Sequence, residues 1–333
     1  MVFKTIISIL FACLFFTFAG RSAAETEKEY YPGGRLKSVV EITDGIKEGM
    51  EKTFYENGRL LREVPVKKGN YQGIAREYYE SGQLKAETEY ADGKQTGACR
   101  QYYASGNLGE ESLYQAGRKE GLSKTYHKSG RLKSQGTYTS GLLNGAWQEF
   151  YESGKLKIEE QYKAGKRDGF CRSFYKSGNL MYNTAYRSGT EDGQWQDYYE
   201  SGILKAEYWY ASGRLSGVKK TYYESGNLQI ECVYRDGQED GAFRTYNESG
   251  NLKAEYVYKS GRRNGAGREY YESGKLKADG QCRDSYQEGV WNTYYEDGKI
   301  EYIDTYNHGQ KIHRKVFDQA GNITFDQDYG YRE

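Results

Sequence analysis

Residues 73–97 read GIAREYYESGQLKAETEYADGKQTG. From Ile74 to Tyr79 and again from Leu84 to Tyr90, apolar and charged residues alternate, the period-two pattern of half-buried strands. Glu80-Ser81-Gly82 separates the two runs, and a three-residue loop, a type I turn closed by a left-handed glycine bulge, fits that spacing. The equivalent loop near the N-terminus supports it. Pro32 stands first there, where a φ near −65° suits type I, whereas a two-residue type I′ turn would put the proline in the strand. Ala91-Asp92-Gly93 reads as a second turn of the same kind, joining each hairpin to the next.

Working outward, the hairpin recurs. Gly34, Gly58, Gly82, Gly106, Gly130, Gly154, Gly178, Gly202, Gly226, Gly250, Gly274 and Gly298 lie 24 residues apart without a slip, each with Tyr, or Phe as at Phe54 and Phe150, four residues before it. Leu, or Ile at Ile300, follows two residues after, and a second mark repeats as Tyr90, Gly93, Gly97 and as Tyr258, Gly261, Gly265. A fixed period of this length means a repeat architecture. The expected fold is all-β, an elongated array of tandem 24-residue antiparallel β-hairpins forming one long twisted sheet. At two strands per unit and ~4.8 Å per strand, twelve units would reach roughly 115 Å. The hairpins occupy residues 25–309, and 310–333, where Phe317, Gly321 and Ile323 arrive one residue early, form a degenerate C-terminal repeat or cap over the last sheet edge.

A three-residue loop pairs residue i with i+4 and so preserves parity, as does an even period. Odd and even residues are therefore expected on opposite faces. The even residues Ile74, Tyr78, Leu84, Ala86 and Tyr90 form the expected packed face. The odd face carries Lys85, Glu87 and Glu89 with a second column of rings, and Tyr79, Tyr103, Trp147, Tyr151, Tyr175, Trp195, Tyr199, Trp209, Tyr223, Tyr271, Trp291 and Tyr295 are the candidate binding face.

Composition fits such an array. Leu, Ile, Val and Phe make up only about a sixth of the chain, a level that ordinarily signals disorder. The net charge of +1 and 36 tyrosines oppose disorder, since tyrosine packs its ring and keeps its hydroxyl in water. Lys4, the apolar run Ile6–Ala19 and the small residues Ser22-Ala23-Ala24 read as a signal peptide over 1–24, cleaved after Ala24, and export the chain to the periplasm, envelope or exterior. Removing Lys4 and Arg21 leaves 46 basic against 47 acidic residues, a net of −1. Such a balance excludes nucleic acid and disfavours a membrane surface. Cys99, Cys171, Cys232 and Cys282 lie units apart in the array, too far for any pair to bridge.

The pattern Tyr-Tyr-Glu-Ser-Gly-x-Leu-Lys followed by Tyr-x-x-Gly-x-x-x-Gly resembles the MORN repeat variant of bacterial proteins, across roughly Tyr30 to Ile323. The resemblance implies an antiparallel sheet of hairpins, with roles in protein contact or membrane association, and many such proteins are described as antitoxins. A signal peptide would separate this chain from a cytoplasmic toxin, so an antitoxin role implies an exported toxin.

No residue constellation points to catalysis or to a cofactor. Glu56, Glu80, Glu152, Glu200, Glu224, Glu248, Glu272 and Glu296 open turns at one spacing, whereas acid–base work needs two carboxylates in different environments. His127 stands in a tyrosine position, and His308 and His313 fall in the degenerate end. The expected function is a non-catalytic scaffold for another protein, with glycan or cell-wall binding as the alternative.

Overall fold

The structure, a computed structural model, describes residues 24–330. Of the expected signal segment, all but Ala24 lies outside the described residues. The chain divides into two compact units, Met1–Gly97 and Ala98–Glu333, and each is described by itself. The described residues form strands and no helix, and the strands of each unit pair antiparallel in hairpin succession. The tandem hairpin array expected from the spacing is the fold.

The first turn is the expected one. Tyr79 N–H donates to Gln83 O and Gly82 N–H to Tyr79 O, both at 2.8 Å, with Gly82 at φ 95°. In the proline-containing copy Gly34 N–H donates to Tyr31 O. The second turn differs from expectation, because it has two residues and not three. Ala164 and Gly165 sit at φ 48° and 78°, between the pairs Lys163↔Lys166 and Tyr162↔Arg167. That is a type I′ turn, whose twist matches the strands it joins. Directly after it the register jumps from Tyr162↔Arg167 to Glu160↔Cys171, so that Gln161 faces the three residues Asp168, Gly169 and Phe170. Gly169, at φ 121°, is required there on two counts, since a Cβ on it would also come within 2.9 Å of Gln161 Cβ. This special bulge, three residues against one, is the reason for the second glycine of the repeat.

A further bulge overturns the parity rule. In the hairpin of Gly73–Tyr78 and Leu84–Ala91, Tyr78 pairs with Leu84 but Glu77 pairs with Ala86, so Lys85 is an extra residue. The loop preserves parity as expected, and the added residue reverses it. Odd residues of each first strand therefore share a face with even residues of each second strand. Side chains on that face include Ala75, Val64 and Val66 in the N-terminal unit, and Ser123, Glu160, Cys171, Thr184, Ala206, Cys232, Ala278, Cys282 and Trp291 in the C-terminal unit, all buried. Ile74, expected to pack, is exposed on the opposite face.

Among the described residues no second layer covers the packed face, which closes by matching large against small. Gly136 stands opposite Trp147, and Gly280 lies beneath Trp291, where a Cβ would fall 2.3 Å from the indole. Among the described residues Cys99, Cys171, Cys232 and Cys282 carry thiols, the last three buried on this face. Burial pushes the Cys171 thiol up to about 11, reinforced by the Glu160 carboxylate 3.4 Å away, which leaves it unreactive at neutral pH.

Successive repeats are also tied by ladders outside the backbone pairing. Tyr55 donates its hydroxyl to Tyr78 O at 2.7 Å, and in the C-terminal unit Tyr151, Tyr175, Tyr199 and Tyr223 donate to Phe174, Tyr198, Tyr222 and Tyr246 O. At the other end of the hairpins, in several repeats the side chain before the bulge glycine accepts the N–H of the next type I′ turn, as Asp168 does from Ser188 and Glu288 from His308. Replacing Tyr199 with Phe leaves the Tyr222 carbonyl without its donor, and a melting curve should report a loss of about 1 kcal/mol.

Residues 310–330 extend the same construction. Gln310–Phe317 pairs with Ile323–Asp328 around a turn in which Gly321 N–H donates to Asp318 O. Phe325 stands at the position occupied by buried Ala206 and Ala278 in complete repeats, and it is exposed.

Candidate functional site

The residues of the candidate binding face fall into three places. Tyr103, Tyr151, Tyr175, Tyr199, Tyr223, Tyr271 and Tyr295 are half-buried rungs of the hydroxyl ladder, committed to backbone carbonyls of the following repeat. Tyr79, in the N-terminal unit, lies in the same column with Lys85 over its ring. Trp147, Trp195 and Trp291 belong to the packed face. Trp195 is stacked between Tyr182 and Tyr208, at 5.3 and 5.9 Å, and donates its indole N–H to Asp197 Oδ1. The expected grouping of Trp195, Asp197 and Tyr199 is therefore a set of internal contacts. Trp209 alone of these residues lies on the opposite face, and it is 51% exposed.

Ionisable groups of the packed face are neutralised within it. Glu160, 3% exposed, accepts from Tyr162, Cys171 and Arg167. Burial raises the Asp304 carboxyl, but the hydrogen bonds from Arg314 and Lys311 outweigh burial and hold it below its ordinary value. The turn glutamates are exposed, and among the described residues no group of His, Cys, Asp and Glu is arranged to hold a metal ion. One open groove of 220 Å³ is lined by Glu269, Lys277, Trp291, Tyr302, Asp304 and Arg314 among others, and its two carboxylates are engaged, Asp304 by Arg314 and Glu269 by the Tyr256 hydroxyl.

The opposite face presents two adjoining rows. In one, charges alternate across consecutive strands of the C-terminal unit: Glu207 pairs with Lys220, Lys220 with Glu231, Glu231 with Arg244, Arg244 with Glu255 and Glu255 with Arg268. Arg244 reaches Glu231 at 3.1 Å and Glu255 at 3.6 Å, and Arg268 reaches Glu255 at 2.9 Å. The Arg268 hydrogen bond, opposed by partial burial and aided by Tyr270, holds Glu255 below the ordinary carboxylate range. Tyr222 and Tyr270 donate to Glu207 and Glu255 from the neighbouring column.

The other row is apolar. Trp209, Val218, Val233, Ala242, Val257 and Ala266 occupy six successive hairpin strands, with Val218↔Val233 and Ala242↔Val257 directly paired. Val218 is 48% and Val257 42% exposed. Bulge glycines flank the row, and Gly241 and Gly265 lie so near Val233 and Val257 that a Cβ would approach to 3.0 and 3.1 Å. At ~4.8 Å per strand the strip is about 24 Å long. Val233, Ala242 and Ala266 are half-buried, so exposed and half-buried apolar side chains share the row. Sequence reasoning missed it because it alternates between residues eight before and seven after the turn glycine, positions of opposite parity. The equivalent positions Met50 and Ile74 are exposed in the N-terminal unit.

The family model described as MORN repeat variant matches residues 47–68, 71–92, 119–139, 143–164, 191–213, 215–236, 239–260, 263–281 and 287–308. No curated protein matches the chain. Among solved structures, the Tc holotoxin pore of Photorhabdus luminescens is 13% identical with a TM-score of 0.18, over 92% of this chain and 20% of that one. The TcdB2-TccC3-Cdc42 complex is 12% identical with a TM-score of 0.15, over 93% and 23%. The chain thus spans about a fifth of the length of the solved chains it matches.

Proposed function

Starting from a chain that belongs to the MORN repeat variant family, we propose that it is a non-catalytic scaffold that holds a partner protein against the strip Trp209–Ala266. Members of this family are not generally catalytic. The observation that carries the reading is the asymmetry of the two faces. On one, large side chains cover small ones and carboxylates are paired, so no ligand is needed to complete it. On the other, valines and a tryptophan stand in water although the fold offers a packed face for them. The proposal places the scaffold outside the cytoplasm, which rests on the leader pattern of residues 1–24.

A photo-crosslinkable residue at position 257, compared with one at the exposed turn residue Ser153, tests this in cell-envelope extract. The expected result is a discrete protein adduct at 257, absent at 153 and abolished by adding Val218→Glu. Equal adducts at both positions, or an adduct indifferent to Val218→Glu, would refute the strip as the binding surface.

A further inference from the structure

Resting on that reading, we infer that the partner segment is an amphipathic α-helix of about four turns, laid across the strands along the strip Trp209–Ala266. Four observations converge on a helix.

The first is pitch. Apolar residues recur along the strip once per strand, ~4.8 Å apart, and a helix presents an apolar residue once per turn, ~5.4 Å apart. Matched at the middle of the ~24 Å strip, the two series differ by only about 1.5 Å at either end, and roughly 16 helical residues span that distance. An extended peptide crossing the strands would instead present a side chain to the strip every ~6.8 Å and lose step after two strands.

The second is backbone satisfaction. The strip runs across the face of the sheet, where main-chain groups are already paired from strand to strand. An added β-strand needs a free edge, whereas a helix arrives with its own hydrogen bonds made and requires only side-chain contact.

The third is relief. Gly217, Gly241 and Gly265 border the strip and project no side chain, so a helix about 10 Å wide can settle against Trp209, Val218 and Val257.

The fourth is charge. Glu207, Lys220, Glu231, Arg244, Glu255 and Arg268 run beside the strip with alternating sign, and the row is neutral as a whole. Such a row repels neither sign, and it fits a helix edge on which acidic and basic residues alternate turn by turn. It gives no field to attract an anionic bilayer or a polyanion.

The test selects 18-residue peptides from a random display library on the full-length protein, with counter-selection on a Val218→Glu, Val257→Glu double variant whose melting curve matches the parent. The expected outcome is a set of peptides with aliphatic residues at three- and four-residue spacing. As synthetic peptides they should bind the parent at least ~10-fold more tightly than the double variant, should gain helical circular dichroism on binding, and should lose affinity when proline replaces a central residue. Selected peptides with a two-residue apolar period, indifferent to proline, would overturn the helix and leave the protein scaffold standing. Failure to select any peptide that distinguishes parent from variant would overturn both. So would tighter binding of the parent than the variant to vesicles of phosphatidylcholine and phosphatidylglycerol, since the strip would then be a membrane surface.

Discussion

The protein is expected to unfold between about pH 10 and 12, with its phenolates appearing in the same transition. Burial, followed by the neighbouring Cys171, Glu207 and Asp304 respectively, pushes Tyr182, Tyr222 and Tyr306 up to about 12. Tyr78, Tyr114, Tyr126, Tyr162 and Tyr186 are raised as well, each chiefly by burial. An unfolded chain releases phenolic protons near pH 10 while the folded one holds them, so over this interval the unfolded state binds fewer protons and stability falls as pH rises. The contribution is complete below pH 10 and is lost as pH passes through the folded values. Because tyrosines line every repeat, the losses accumulate, and the urea midpoint at pH 11.5 should be roughly half that at pH 8 or lower. Absorbance at 295 nm and far-ultraviolet circular dichroism, followed together, check this. Tyrosines that titrate near pH 10 with the circular dichroism unchanged would contradict it.

The tryptophans supply the second large effect. Trp291, 5% exposed, lies across Gly267 and Gly280 and donates its indole N–H to Gln281 O at 2.9 Å. Trp291→Ala should cost about 3–5 kcal/mol, because no neighbouring side chain can fill the space above two glycines. Gly280→Ala should also destabilise, by about 1–3 kcal/mol, because its methyl would meet indole carbons 2.3–2.5 Å away. Trp209→Ala, on the exposed strip, should stay within about 0.5 kcal/mol of the parent. Denaturant melts of the three variants decide the matter. Similar losses for Trp291→Ala and Trp209→Ala would show that both faces are packed, and the strip would then be no free surface. The sequence places Trp291 and Trp209 on one face, and the structure separates them.

The charged row invites a conclusion about stability that its exposure does not support. Arg244 and Arg268 are about half exposed, and exposed pairs of this kind contribute only ~0–1 kcal/mol each. Their more useful effect is on register. Shifting one strand by two residues, which keeps each side chain on its face, would set Val218 or Val233 among carboxylates and guanidinium groups. Gln135 and Gln148 occupy the same row in earlier hairpins and link through their amides at 2.8 Å, so the row persists where charge does not.

The sequence by itself determined the 24-residue unit, its hairpin and its first turn. These depend on local chemistry, the turn glycine's positive φ and the fixed φ of Pro32, which neighbours do not alter. It also showed that His127 substitutes for a tyrosine, and in the structure its ring takes the ladder position against Phe150 O. The faces were decided only by tertiary structure. A side chain's face depends on how many bulge residues separate it from the turn, and the bulge at Lys85 exists only because two strands pair with unequal numbers of residues. A repeat of 24 residues keeps its period with or without that bulge, so periodicity carries no signal of it. The same holds for the bulge at Gly169, where one residue faces three. Each bulge is a property of the strand pair. Together they move Trp291 under cover and leave Trp209, Val218 and Val257 in water.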